Sequence, residues 1–297
     1  MKILITGGTG FIGSFLTQQL IAQHHNVTVI GFRSSIPKDI PEKLHFITAD
    51  TAKKGVWQQA VGSVDAVINL AGISIFHRWS REYKQQIYDT RIRTTQHVVA
   101  GMTEGQRLIS ASAVGYYGDR GADILSESEP CGADFLSHVS ADWEQAAFEA
   151  EKKNISVTTT RFGVVLGKNG GALKQMITPF KWFVGGPMGS GKQWFSWIHI
   201  ADLISGILYI LEHPQIHGPV NLCAPYPVTQ AYLAKTLGFV LHRPSFIPAP
   251  SMAMRLLLGE FAETLLASQR AIPDILIRSG FVFTFPCLDN ALMDLLQ

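Results

Sequence analysis

Short apolar runs alternate with longer amphipathic stretches over the first half of the chain, the pattern of parallel strands joined by helical crossovers. The runs expected as strands are Lys2–Thr6, Asn26–Phe32, Leu44–Thr48, Ala66–Leu70, Arg107–Ser112 and Ser156–Leu166. They are apolar on both faces, as strands covered by helices on each side are. The last of them is also rich in β-branched residues, Val157 to Thr160, which suit a pleated surface. Helical spacing marks Ser14–Gln23, Arg81–Met102 and Ser140–Lys153. After about Gly167 the pattern changes. Gly170 to Trp197 is rich in glycine and aromatics and reads as a loop able to wrap a ligand. His199–Glu212 then reads as a helix and Pro219–Cys223 as a strand, in the style of the first half. Prolines at 244, 248 and 250 precede apolar helical stretches around Ala253–Ala267 and Pro273–Ser279. The expected architecture is α/β. A doubly wound parallel sheet takes residues 1–167 with about 199–223, and a smaller, mostly helical cap takes 168–198 with 224–297.

Composition supports a globular chain. It has 297 residues, 46% hydrophobic and 16% charged, enough to bury a sizeable core. The net charge is +2, from 25 Lys and Arg against 23 Asp and Glu, and no like-charge cluster stands out. Nucleic acid and membrane are therefore not expected as partners; a small-molecule substrate is. Ten scattered histidines lack zinc-ligand spacing. Cys131, Cys223 and Cys287 lie too far apart for a disulfide framework, so a reducing, cytoplasmic location is expected. No apolar run reaches the length of a membrane span.

The strongest motif is Thr6-Gly7-Gly8-Thr9-Gly10-Phe11-Ile12-Gly13, glycines in the order GxxGxxG. It follows an expected strand and opens an expected helix, the context in which such a loop binds a dinucleotide in a Rossmann-type fold. Glycines permit a tight turn and close backbone approach to a pyrophosphate, and the helix N-terminus offers it free N–H groups. An NAD site normally has a carboxylate at the end of the second strand. Here that strand runs into Gly31-Phe32-Arg33-Ser34-Ser35. Arg33, helped by the hydroxyls of Ser34 and Ser35, suits a 2′-phosphate, although it also reads as an ordinary surface arginine. NADP(H) is the expected cofactor and NAD(H) the lesser candidate. Asp50, closing the third strand, is either an acceptor for the adenine amino group or an ordinary strand end. Leu70-Ala71-Gly72 closes the fourth strand and either lets the cofactor pass or merely ends the strand.

TGGTGFIG, Asp50, NLAG, ISASAVGYYG, TRFGVVLG and WIHIADL together resemble the extended short-chain dehydrogenase/reductase superfamily. RWSREYKQQIYDTRIRTT, DWEQAA, LHRPSFIPAPSMAMRLLLGE and LLASQR are similar to one atypical branch of it, the NAD-dependent epimerase/dehydratase-like proteins. The resemblance implies a serine or threonine after the fifth strand and a Tyr-x-x-x-Lys on the next helix. The tyrosine moves a proton and the lysine lowers its pKa. The serine is present as Ser112, with Ser110 as a stand-in. The Tyr-x-x-x-Lys is absent, for between Pro130 and Glu149 there is no tyrosine and no lysine.

His138 is the residue in that gap that exchanges a proton near neutral pH, and the resemblance implies a histidine in the lysine's place. It also implies an arginine, Arg91, in place of a helix asparagine. Tyr116 and Tyr117 are further proton donors, or packing residues. Arg161, near the end of the sixth strand, is expected on the nicotinamide side. Lys192, Trp194, Ser196 and Trp197 are expected either to meet a polar substrate or to pack a seam, and His199 with Asp202 to begin a helix. Met252, Met254 and Leu256–Leu258 have helical spacing and read as cap core, secondarily as a homodimer contact. Two functions are in play. One is an oxidoreductase or epimerase acting on a small polar substrate, with nucleotide sugars among the candidates. The other is a non-catalytic NADP(H)-binding sensor or regulatory protein.

Overall fold

The computed structural model describes residues 1–32, 44–168 and 170–297. Seven strands form one parallel sheet: β1 Lys2–Thr6, β2 Asn26–Gly31, β3 Leu44–Thr48, β4 Ala66–Asn69, β5 Arg107–Ala113, β6 Ser156–Phe162 and β7 Gly218–Leu222. Their order is β7-β6-β5-β4-β1-β2-β3. The order reverses between β1 and β4, and in sheets of this kind a ligand crevice opens there, beyond the strands' carboxyl ends.

The helices are α1 Phe11–Ala22, α2 Trp57–Val61, α3 Arg81–Gly101, α4 Phe135–Phe148, α5 Gly171–Lys181, α6 Ile200–Glu212, α7 Gln230–Leu241, α8 Ser251–Leu258, α9 Phe261–Leu266, α10 Asp274–Arg278 and α11 Leu288–Leu296. Strand alternation sends side chains to two cores. Ile3, Ile5 and Ile68 join Leu16 and Leu20 of α1 and the apolar face of α6. Leu4, Val67 and Leu108 join Val61 of α2 and Val98 of α3. Both faces of the central strands are covered, so those runs carry no polar alternation, while β3 at the edge keeps His45 and Thr48 exposed. A third core, with Leu173, Leu233, Leu237 and Leu292, binds α5, α7 and α11 into the mostly helical C-terminal region.

The structure departs from the expected elements where glycine and proline intervene. Ser156–Leu166 is two strands. β6 ends at Phe162, and Val164–Gly167 leaves the main sheet to pair with Trp197–His199. The break is at Gly163, where a Cβ would lie 3.0 Å from the Cys223 Cβ and 3.2 Å from the Ser196 carbonyl oxygen. The glycine-rich stretch contains α5, whose periodicity is obscured by Pro179 inside it. Ala253–Ala267 is broken into α8 and α9 by Gly259 at φ +62°. Helices α7 and α11 were not anticipated. α4 begins five residues earlier than expected because Asp134 caps it, accepting from Ser137 N at 2.8 Å.

His199 caps α6 through its ring: Nδ1 accepts from Ala201 N at 3.1 Å, and Nε2 faces Asp294 at 3.3 Å. Burial lowers its pKa, with Asp294 and Asp202 opposing in part. Asp202 is buried and accepts from the backbone N–H of Thr284 and Phe285, both at 2.8 Å. The pair ties α6 to the C-terminal segment.

Candidate functional site

At the crevice the glycine loop lies against the turn that closes β4. Gly7 has φ +71°, and a Cβ there would lie 3.0 Å from both Ala71 N and the Leu70 carbonyl oxygen. That close approach needs glycine on one side and the Leu70-Ala71-Gly72 backbone on the other. At Gly13 a Cβ would fall on the Gly7 carbonyl oxygen and 2.6 Å from the Gly8 Cα. Gly10 is the N-cap of α1, with no side-chain cap and no acid in the first turn. Ser14 N makes the helical bond to Gly10 O at 2.9 Å, so the N–H groups of Phe11, Ile12 and Gly13 precede the helix's own acceptors. The cradle fits a pyrophosphate by its shape and its donors.

The neighbours have different tasks. Thr9 lies against the end of β2, its Oγ1 3.0 Å from where a Gly31 Cβ would be. The Phe11 ring fills the space left by Gly170 and Gly171, and Ile12 is half-buried against the core below. Arg33 and Ser34, the residues expected to read a 2′-phosphate, lie outside the described residues, as does Ser35. Asp50 accepts from Ala52 N at 3.1 Å and approaches Lys53 at 3.5 Å, the geometry of a turn. Asn69 ties the strand ends together, accepting from Thr6 Oγ1 at 2.6 Å and donating to Thr95 Oγ1 at 2.8 Å and Ser110 Oγ at 3.1 Å. Sequence reading saw it only as part of NLAG.

Arg91 packs beneath Gly72, its Cζ 3.1 Å from where a Cβ would stand. It donates to the carbonyls of Ile87 and Ile73 at 3.1 and 3.0 Å and lies 5.3 Å from the Trp143 ring centroid. Among the described residues it has no carboxylate partner. Burial lowers its pKa to about 10.

Strand register sets Ser112 of β5 opposite Arg161 of β6, and the two meet through a residue the sequence reading missed. Glu144, on the buried face of α4, accepts from Ser112 Oγ at 2.6 Å and from Arg161 Nε and Nη2, both at 2.8 Å. Ser112 is 2% exposed and Arg161 3%. Burial works against the Arg161 charge, but Glu144 outweighs it and raises the pKa. The guanidinium also lies 3.6 Å from the Tyr116 ring centroid and 5.1 Å from that of Tyr117.

The Tyr117 hydroxyl donates to Asn221 Oδ1 at 2.7 Å and accepts from Arg161 Nη1 at 3.0 Å. Burial raises its pKa, with Arg161 opposing. Tyr116 is half-buried, and burial raises its pKa too. Glu127 ties this cluster to β7 and to the C-terminal region: Oε1 accepts from Asn221 N at 3.1 Å and Ile275 N at 3.3 Å.

His138 stands apart. It is exposed, its Nδ1 2.7 Å from the Asp134 carbonyl oxygen. It lies six residues from Glu144, about 120° around α4 from the face that carries Ser112's partner. Arg161, Tyr116, Tyr117 and Ser112 are thus brought together and His138 is not. A cavity of about 420 Å³ is walled by Gly115, next to Tyr116 in the chain, with Phe135 and Leu136, and by Glu263, Leu266 and Gln269; Ser112, Tyr116, Tyr117 and Arg161 do not line it. The aromatic stretch mostly packs. Trp197 is fully buried with Nε1 3.3 Å from the Tyr226 carbonyl oxygen, and Ser196 Oγ donates to Gln269 O at 2.8 Å. Trp194 receives Arg270 over its ring at 4.1 Å, and Lys192 is exposed.

Comparison with known proteins adds the following. The model of the NAD dependent epimerase/dehydratase family matches residues 3–223, and that of a domain of unknown function, DUF1731, matches residues 249–295. A chloroplastic homolog of the epimerase family protein SDR39U1 from Arabidopsis thaliana is 41% identical over 303 residues, covering 100% of this chain and 87% of the relative. An epimerase family protein of Staphylococcus haemolyticus is 39% identical over 301 residues, covering 100% and 99%. Human epimerase family protein SDR39U1, crystallised with NADPH, superposes with a TM-score of 0.87 at 33% identity over 99% of each chain. A nucleoside-diphosphate sugar epimerase of Corynebacterium glutamicum gives a TM-score of 0.80 at 32% identity, over 100% of this chain and 58% of that one.

Proposed function

This chain belongs to the NAD dependent epimerase/dehydratase family, and from that premise we propose that it binds NADP(H) and uses it in an oxidoreductase or epimerase reaction on a small polar substrate. Nucleotide sugars are among the candidate substrates. The observation that carries the reading is the contact between Gly7 and the Leu70–Ala71 backbone beside an uncapped α1. The close-packed glycine turn and the free N–H groups at the start of α1 suit a slender, anionic group. Gly7, Gly10, Gly13 and the first N–H groups of α1 hold the pyrophosphate; Arg33 and Ser34 hold the 2′-phosphate. The human relative crystallised with NADPH supports the choice.

The nicotinamide supplies or accepts hydride when bound. The chain's own residues handle the oxygen and the proton. Ser112 has one proton, and Glu144 takes it, so the Ser112 oxygen is left with lone pairs alone. It therefore accepts a hydrogen bond from a substrate hydroxyl. Arg161 donates two hydrogen bonds to Glu144 and so holds the carboxyl group in place to accept from Ser112. Tyr117 spends its hydroxyl on Asn221, which leaves Tyr116 as the phenol facing the same cluster. The cavity beside Gly115 gives the substrate room.

A second reading, a dinucleotide sensor without turnover, is favoured by the internal engagement of Ser112 and Tyr117 and by the outward position of His138. Ser112→Ala separates the two. On any substrate found by screening with NADPH, the variant is expected to lose roughly 100-fold or more in turnover while NADPH affinity holds. Unchanged turnover in the variant removes Ser112 from the chemistry. NADPH binding without conversion of any screened alcohol or carbonyl favours the sensor.

A further inference from the structure

The cap carries a surface that neither the crevice nor the cavity uses. Where α5 ends, the chain exposes Trp182, Phe183 and Val184 in succession, 76%, 55% and 53% accessible. Phe246 and Ile247, 76% and 40% accessible, stand beside them. Ile247 N donates to Gly185 O at 3.2 Å and Ala249 N to Pro187 O at 2.9 Å, which pins the two segments side by side. Five large apolar side chains therefore form one exposed island. Such an island on a soluble surface marks an interaction site.

The backbone at its centre is strained. Phe183 has φ +61°, a left-handed conformation that a bulky side chain avoids and glycine adopts freely. Core packing does not explain the aromatic, because the ring is mostly exposed. The left-handed residue closes α5 in a Schellman turn, with Val184 N donating to Pro179 O and Phe183 N to Phe180 O, both at 3.0 Å, a position that glycine fills at less cost than phenylalanine.

The two segments that carry the island contain cations and no acid. Lys181 precedes it, and the Arg243 guanidinium lies 4.6 Å from the Phe183 ring centroid. Neither has an ion-pair partner among the described residues. From Lys152 to Ala201 and from His213 to Gly259 the chain contains no Asp or Glu. The near-neutral total averages over this asymmetry.

We propose that the island docks on the surface of an anionic lipid bilayer. The aromatic and aliphatic side chains enter the interface, and Lys181 and Arg243 meet lipid phosphates. Among the described residues no helix is long and apolar enough to cross a membrane, so the contact lies on the surface. A second copy is the poorer occupant. A two-fold dimer through this patch sets the Lys181 and Arg243 pairs against their own counterparts.

Vesicle sedimentation tests the proposal, with phosphatidylcholine alone and with about one-third phosphatidylserine. The chain is expected to sediment with the mixed vesicles, at least roughly tenfold more weakly with phosphatidylcholine alone, and less at high salt. The double variant Trp182→Ser, Phe246→Ser is expected to lose vesicle binding at an unchanged melting temperature. Phe183→Gly is expected to bind vesicles more weakly while its melting temperature holds or rises, since glycine relieves the strain. No binding to mixed vesicles, or equal binding by these variants, overturns the proposal. So does a dimer in ultracentrifugation that Trp182→Ser dissolves, which would assign the island to a second copy.

Discussion

Glu144→Ala is expected to cost about 3–5 kcal/mol of folding stability, the usual loss when one partner of a buried ion pair is removed. The Arg161 guanidinium is 3% exposed and donates two of its hydrogen bonds to Glu144. Without the carboxylate it is a buried cation held by the Tyr117 hydroxyl, the Glu127 carbonyl and two aromatic faces. Those contacts do not replace a charge. Chemical denaturation checks the figure, and a melting temperature lower by on the order of 5–10 °C accompanies it. Adding Arg161→Met in the Glu144→Ala background should recover part of the loss, because the stranded charge is then gone. A loss under about 1 kcal/mol in the single variant would mean that water reaches the pair.

Gly13→Ala is expected to weaken NADPH binding by at least roughly 100-fold, about 2.7 kcal/mol. In an exposed helix the same change helps, by up to about 1 kcal/mol, so the two effects oppose each other and contact geometry decides. A methyl at residue 13 falls on the Gly7 carbonyl oxygen and within 2.6 Å of the Gly8 Cα. Both are backbone, so neither can swing aside as a flexible side chain does. The loop must move from α1, and the free N–H groups at the start of the helix move with it. Calorimetric titration of the variant with NADPH measures the loss, and circular dichroism separates it from unfolding. Wild-type affinity in Gly13→Ala would show that the loop yields cheaply.

The sheet was legible because its central strands are covered on both faces. Ile3, Leu4 and Ile5 are all fully buried, so the runs lack polar interruption and stand out. The glycine loop was legible for a related reason: close approach and left-handed φ restrict residue choice so tightly that spacing alone marks the place. The chemistry beside it was less legible. Glu144 is an acid on a helix, and sequence gives no sign that it is buried. Only the pairing of β5 with β6, which sets Ser112 opposite Arg161, makes its role visible. His138 stands out in the gap as the residue whose type exchanges a proton near neutral pH, yet helix phase turns it away from Glu144. α5 was obscured by its glycine-rich setting and by Pro179, and α7 carries Gly238 within it.

The exposed aromatics of the cap illustrate the same limit. Trp182 and Phe246 are 64 positions apart in sequence, and only the backbone pairing around Gly185 and Ile247 unites them. The sequence reading, summing charge over the whole chain, averaged away the acid-free segments that surround them.

The central claim is that the crevice at the β1–β4 reversal holds NADP(H), selected by Arg33. Calorimetric titration with NADPH and then NADH, on the wild type and on Arg33→Ala, tests it most directly. The account predicts that NADPH binds at least roughly tenfold more tightly than NADH and that Arg33→Ala removes the difference, as loss of a charged phosphate contact worth about 1.5–3 kcal/mol requires. Equal affinity for the two nucleotides in the wild type would contradict the selection by Arg33. Binding of neither would contradict the cofactor site itself.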